Sequence, residues 1–181
     1  MNDLSSYMAV RDKIQTGDLI QWHSNDMVGS AIMFITEKYR RKYEIDHDVN
    51  VSHTASVIRL PSFERDRRYT LESLESGPSL HILSKRLEAY NGKVYWYPVN
   101  ATEEERNVWG GNALDCIGDG ISYGYTDILK FIVERPKIDI KNGLICSEYW
   151  MYCWGYAGTS LSPNELPTLD RLKDSIPVRI L

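Results

Sequence analysis

The stretch from Cys146 to Ala157 reads CSEYWMYCWGYA and is apolar or aromatic almost all round, with Ser147 and Glu148 the exceptions. Wound as a helix it has no face to give to water, so other elements must enclose it in the middle of a domain. Gly143 precedes it, and Cys146, Ser147 and Glu148 fall on its N-terminal edge. There the backbone N–H groups are unpaired and the helix dipole is positive.

The elements that could cover such a helix lie upstream. Gly17 to Trp22 (GDLIQW), Ser52 to Leu60 (SHTASVIRL), Tyr69 to Leu74 (YTLESL) and Lys93 to Val99 (KVYWYPV) are rich in strand formers and bounded by turn residues. Short strands this close in sequence predict an antiparallel sheet. Val28 to Tyr39 has helical spacing, with Val28, Ile32, Ile35 and Tyr39 on one side, and Arg40 to Asp48 reads as charged loop. A Gly77-Pro78 turn should lead to a short helix from Leu83 to Tyr90. Thr102 with Glu105 forms a capping box for a helix running to about Ile117. The expected fold is α+β, with the Cys146 helix packed across an antiparallel sheet. With 181 residues, 43% of them hydrophobic, and no repeat or linker, residues 1–181 read as a single domain.

Composition narrows the partners. Lys and Arg number 21 against 25 Asp and Glu, a net charge of −4, which argues against nucleic acid. No window approaches the roughly 18 apolar residues of a membrane helix, so no transmembrane segment is expected. Asp3, Arg11, Asp12 and Lys13 stand where a signal peptide would carry its apolar core. Three cysteines cannot all pair, so thiols in a reducing, cytoplasmic setting are the expectation.

A thiol attacks as thiolate, and a helix N-terminus with a neighbouring imidazole lowers its pKa. Cys146 has the first, and His53, heading the strand SHTASVIRL, can provide the second. Glu72 on the next strand could orient the ring and fix its tautomer. Glu75 is a second carboxylate, and alternation should aim the two at opposite faces, of which only the one under the Cys146 helix can hold the imidazole. Each residue also has a plainer reading as core or solvated surface. Cys153 lies deeper in the same helix and reads as core, while Cys116 falls near a helix end, where the dipole disfavours a thiolate. His23, His47 and His81 have no paired ligand spacing, so neither a metal nor another cofactor is expected. Asp46-His47-Asp48 reads as surface, and Arg40-Arg41-Lys42 as a basic helix exit.

The order of segments resembles the circularly permuted branch of the NlpC-type papain-like cysteine hydrolases, the YiiX-like proteins. The likeness rests on Gly17-Asp18-Leu19-Ile20, Ser52-His53-Thr54-Ala55, Leu71-Glu72-Ser73 with Gly77, Tyr123-Gly124-Tyr125-Thr126-Asp127, and Ile145-Cys146-Ser147-Glu148. Ser162-Pro163 and Leu166-Pro167 follow in the same order. The resemblance implies a permuted papain-like fold with Cys146 as nucleophile, His53 as general base and Glu72 as the orienting carboxylate, and Tyr123 or Tyr125 lining the site. It implies a cysteine peptidase or amidase acting on a small peptide-like or acyl substrate. A lipid acyl hydrolase or acyltransferase of lecithin:retinol acyltransferase type, and a non-catalytic binding domain, are the alternatives. The helix from Val28 and the loop after it should shape substrate access.

Overall fold

Alternation along the strands decides which side of the sheet each helix covers. The computed structural model describes residues 2–42, 49–62, 66–74, 76–124 and 135–181. Its elements are α1 (Ser5–Val10), β1 (Leu19–Ser24), α2 (Met27–Lys42), β2 (His53–Leu60), β3 (Arg67–Leu74) and β4 (Gly77–Ile82). After these come α3 (Leu83–Ala89), β5 (Gly92–Tyr97), α4 (Glu103–Gly118), α5 (Cys146–Cys153) and β6 (Val178–Arg179). The strands form one sheet in the order β4-β3-β2-β1-β5-β6, and every pairing is antiparallel. Ile20, Trp22, Ala55, Val57, Val94 and Trp96 share a core with Tyr7 of α1 and with Leu83 and Leu87 of α3. Residues of the opposite parity face the other helices: Ile58 and Leu71 meet Tyr149 and Cys153 of α5 and Trp109, Ala113 and Cys116 of α4. Leu19 and Tyr97 meet Trp150 and Met151. The apolar helix is thereby enclosed, with Tyr149 and Trp150 almost wholly removed from water. Burying each such ring stabilises the fold by about 1.5–3 kcal/mol.

The structure departs from the sequence reading in places with physical causes. Gly77-Pro78, expected as a turn, instead opens strand β4; Pro78 is tolerated because β4 is an edge strand, where a missing N–H need not break a ladder. Arg40 to Lys42 continue α2 rather than opening a loop, and residues 43–48, which include His47, lie outside those described. Helix α5 stops at Cys153 rather than Ala157, because Gly155 adopts φ +76°. The capping box of α4 is present, with Thr102 accepting from the Glu105 N–H at 3.2 Å and Glu105 from the Thr102 N–H at 2.8 Å. Among the described residues no helix is long and apolar enough to cross a membrane.

Gly17 and Asp18 anchor the entry to β1. Gly17 has φ +86°, and a Cβ there would lie 2.5 Å from the Trp154 ring, so neither the turn nor the packing admits a side chain. The Asp18 carboxylate, fully buried, accepts from Trp96 Nε1 at 2.8 Å, Arg106 Nη1 at 2.9 Å and the Val99 and Gln15 N–H groups at 3.0 and 2.9 Å. It ties β1, the exit of β5 and α4 together. Asp18→Asn leaves the Arg106 guanidinium without its counter-charge, and removing one member of a buried pair typically costs about 3–5 kcal/mol. We expect a loss of that size from chemical denaturation midpoints.

Candidate active site

Helix α5 begins at Cys146 for local reasons. Ile145 is extended, with φ −73° and ψ 170°, and Glu148 reaches back to accept its N–H at 3.0 Å. Upstream, Gly143 has φ +82°, and a Cβ there would sit 2.6 Å from the Ser122 carbonyl oxygen. Only glycine lets the segment before the helix run this close to residues 122–124, where the Leu144 N–H bonds Ser122 at 3.0 Å. The thiol is thus fixed at the N-terminal edge by backbone geometry.

His53 is the first residue of β2 and pairs with Trp22 near the end of β1. Ser52 beside it bonds both the Trp22 carbonyl and the Ser24 N–H at 3.3 Å, pinning the two strand ends. His53 Nε2 lies 2.9 Å from Glu72 Oε2. The imidazole lines the same cavity as the Cys146 thiol and interacts with it, and with Nε2 committed to Glu72 the nitrogen left for sulfur is Nδ1. Thr54, next along β2, also favours the thiolate.

The carboxylate does not lie on the face under the Cys146 helix, where the sequence reading expects it. The β2–β3 register pairs Ser56 with Leu71, so Glu72 shares its side of the sheet with Ala55 and His53, the side covered by α3. Leu71 and Ser73 face α5 and the segment before it, Ser73 donating to the Leu144 carbonyl at 2.7 Å. The site assembles around the end of the sheet: imidazole and carboxylate come from one face, the thiol from the helix on the other. This works because His53 opens its strand and its ring extends past the sheet. Glu75 and Tyr125 lie outside the described residues. Tyr123 packs with Tyr39 and Ile145 and lines the cavity beside Cys146.

Electrostatics follow from these contacts. Burial opposes the charged forms of both Cys146 and His53, but each charge and hydrogen bond supports the other, so the thiol pKa is lowered and that of the imidazole raised. Burial likewise raises the Glu72 carboxyl, and the hydrogen bonds and charges of His53 and Arg86 overcome it and hold it at about 2. Arg86, from α3, donates through Nε to Oε1 at 3.0 Å and through Nη2 to Oε2 at 3.3 Å. Sequence reasoning missed Arg86, which carries no motif and meets Glu72 only once α3 packs on β3. The other two thiols sit together between α4 and α5 and hydrogen-bond each other, which lowers the pKa of Cys116 and, with burial, raises that of Cys153.

A cavity of about 220 Å³ opens at Cys146 and His53, walled by Ile32 and Ile35 of α2, Leu74, Tyr90, Tyr123 and Ile145. Helix α2 is held there by the closing segment. Asn164 donates to Thr36 Oγ1 at 3.0 Å and accepts from the Val51 N–H at 2.9 Å, and Gln21 donates to the Pro163 carbonyl at 2.6 Å.

In fold the chain is similar to the crystal structure of metalloprotein yiiX from Escherichia coli O157:H7, DUF1105. The TM-score is 0.58 and the identity 18%, over 80% of this chain and 66% of that one, so the chain spans just under two thirds of that protein's length. The fold is YiiX-like. No protein-family model and no curated protein matches the sequence. The donor set here does not fit a metal ion: among the described residues no three His, Cys, Asp or Glu side chains are grouped to hold one. At the Cys146 site both oxygens of Glu72 are already engaged by Arg86 and His53. Of the remaining histidines described, His23 Nδ1 meets the Asn50 carbonyl at 2.6 Å and His81 lies beside Ser79 at the exposed edge.

Iodoacetamide should alkylate Cys146 at neutral pH faster than Cys116 or Cys153, which are 2% and 1% exposed. Because its pKa is lowered by His53, reaction should persist below the ordinary thiol range near about 8.5 and fade as pH falls through the lowered value. Peptide mapping across pH reads both.

Proposed function

We propose that the protein is a thiol hydrolase that cleaves an amide or peptide bond through Cys146, His53 and Glu72. The observation carrying this reading is the imidazole held between a buried carboxylate at Nε2 and a thiol at a helix N-terminus. The Cys146 thiolate attacks the carbonyl carbon, and His53, as imidazolium, gives its Nδ1 proton to the departing amine as the C–N bond breaks. Water then attacks the thioester, passing its proton to His53, and the acid product leaves with the thiol restored. Glu72 fixes the ring and stabilises the imidazolium. The Cys146 N–H, in the first turn of α5 where it has no intrahelical acceptor, is aimed to stabilise the oxyanion, an effect worth about 2.7–4 kcal/mol per donor. The chain order His, Glu, Cys supports reading the fold as a permuted papain-like domain.

The apolar walls of the cavity favour a second reading, in which the acyl group comes from a lipid. Probes with peptide-like and lipid-like electrophiles separate the two by the mass of the adduct at Cys146. Labelling at neither would favour a binding domain without catalysis. On a substrate so identified, Cys146→Ala should abolish turnover with little change in stability. Glu72→Gln should lower kcat by two or more orders of magnitude with the circular dichroism spectrum retained.

A further inference from the structure

We propose that Arg86 is a positioning residue of this site, which clamps Glu72 with two hydrogen bonds and cancels its charge so that the carboxylate orients His53 without repelling the Cys146 thiolate. This rests on the reading of Cys146 and His53 as the reacting pair. Glu72 is fully buried, and Arg86 is a guanidinium placed on both of its oxygens, at 3.0 and 3.3 Å. Two parallel bonds fix the carboxylate plane as a lysine could not. The clamp is itself held, with the guanidinium carbon 5.4 Å from the centroid of Trp22 and 5.9 Å from that of Tyr90, rings that meet edge to face at 4.8 Å.

The charge count gives the arrangement its consequence. Thiolate, imidazolium, carboxylate and guanidinium sum to zero. Without the guanidinium the cluster carries a net negative charge in a buried setting. Loss of a proton from the Cys146 thiol then takes the cluster from neutral to one uncompensated negative charge and becomes harder. Loss of the imidazolium proton becomes harder too, because the bare carboxylate holds it. Both ionisations therefore move to higher pH when Arg86 is removed.

Among the described residues, the other titratable groups facing this cluster are Asp26 just before α2, Tyr39 in α2, Tyr90 after α3, Tyr123, and Glu148 in the first turn of α5. Asp26 is engaged by the Ser24 hydroxyl at 2.5 Å and the Gly29 N–H at 2.6 Å, and Glu148 by the Ile145 N–H. Thr70 Oγ1 also donates to Glu72 Oε1, at 3.4 Å, but it is neutral and so does not replace the guanidinium's charge.

The test needs no substrate: the rate of Cys146 alkylation by iodoacetamide is followed against pH by peptide mass mapping. Arg86→Gln should move both limbs of the profile upward by about one pH unit, the low end of the shift that an opposite charge at this range produces. Arg86→Lys, which keeps the charge, should bring them at least halfway back. The double variant Glu72→Gln/Arg86→Gln removes both charges and should lie closer to wild type than Arg86→Gln does. Limbs unmoved in Arg86→Gln, or moved as far in Arg86→Lys, would overturn the proposal. If Arg86→Gln does not fold, a double variant displaced upward by a full unit overturns it, and one near wild type supports it. A wild-type profile with no limb below the ordinary thiol range would overturn the reading of Cys146 and His53 as a pair, and this proposal with it. A wild-type limb that Arg86→Gln leaves in place overturns the role of Arg86 alone.

Discussion

The enclosure of α5 is the constraint from which the rest of the architecture follows. Its circumference from Tyr149 to Cys153 needs apolar partners on several sides, and a sheet face alone gives one. Helix α4 supplies another through Trp109, Ala113 and Cys116, and the closing segment a third through Leu166 and Leu172. This packing ends at the N-terminal edge, which borders the cavity. Cys146 occupies that edge, so its thiol stands where the core ends and the cavity begins.

Around that edge the molecule concentrates groups that burial alone would neutralise. A fully buried carboxylate, an imidazole about one-fifth exposed and a buried thiol lie in one chain of contacts. Each is tolerable because the next supplies the opposite charge or a hydrogen bond, and Arg86 closes the series from the α3 side. The Asp18 cluster at the far end of β1 follows the same rule, with four donors on one buried carboxylate. There the groups hold elements together. At Cys146 they also leave one member facing a cavity.

The two faces of the sheet have separate duties that meet only at its end. On one side α1 and α3 pack an aliphatic and tryptophan core and deliver Arg86 to Glu72. On the other, α4 and α5 carry the remaining core and deliver the thiol. His53 joins them because it opens β2, at the end of the sheet beside the cavity that Cys146 also lines. The closing segment, through Asn164 and Pro163, fixes α2 above that junction and gives the cavity its apolar wall.

Much of this was legible in the sequence, since it depends on neighbours along the chain. The apolar run of α5, the Thr102–Glu105 cap and the strands around Gly17, His53, Glu72 and Lys93 are local patterns. Cys146 and His53 are candidates by their places at element ends, Glu72 by its place within the next strand, and all three by the order of short motifs. What the tertiary structure decided was whatever depends on register and packing between distant segments. Strand β4 pairs despite Pro78 because it lies at the sheet edge, a position no local pattern specifies. Glu72 faces α3 rather than α5 because the Ser56–Leu71 pairing fixes its side, and strand alternation alone leaves that sign open. Arg86 and Asn164 bear no motif: each acquires its partner only when residues 14 and 114 positions away are brought alongside. A hydrogen bond acts over about 3 Å, so side chains far apart in sequence have no signature of their meeting until the chain has folded.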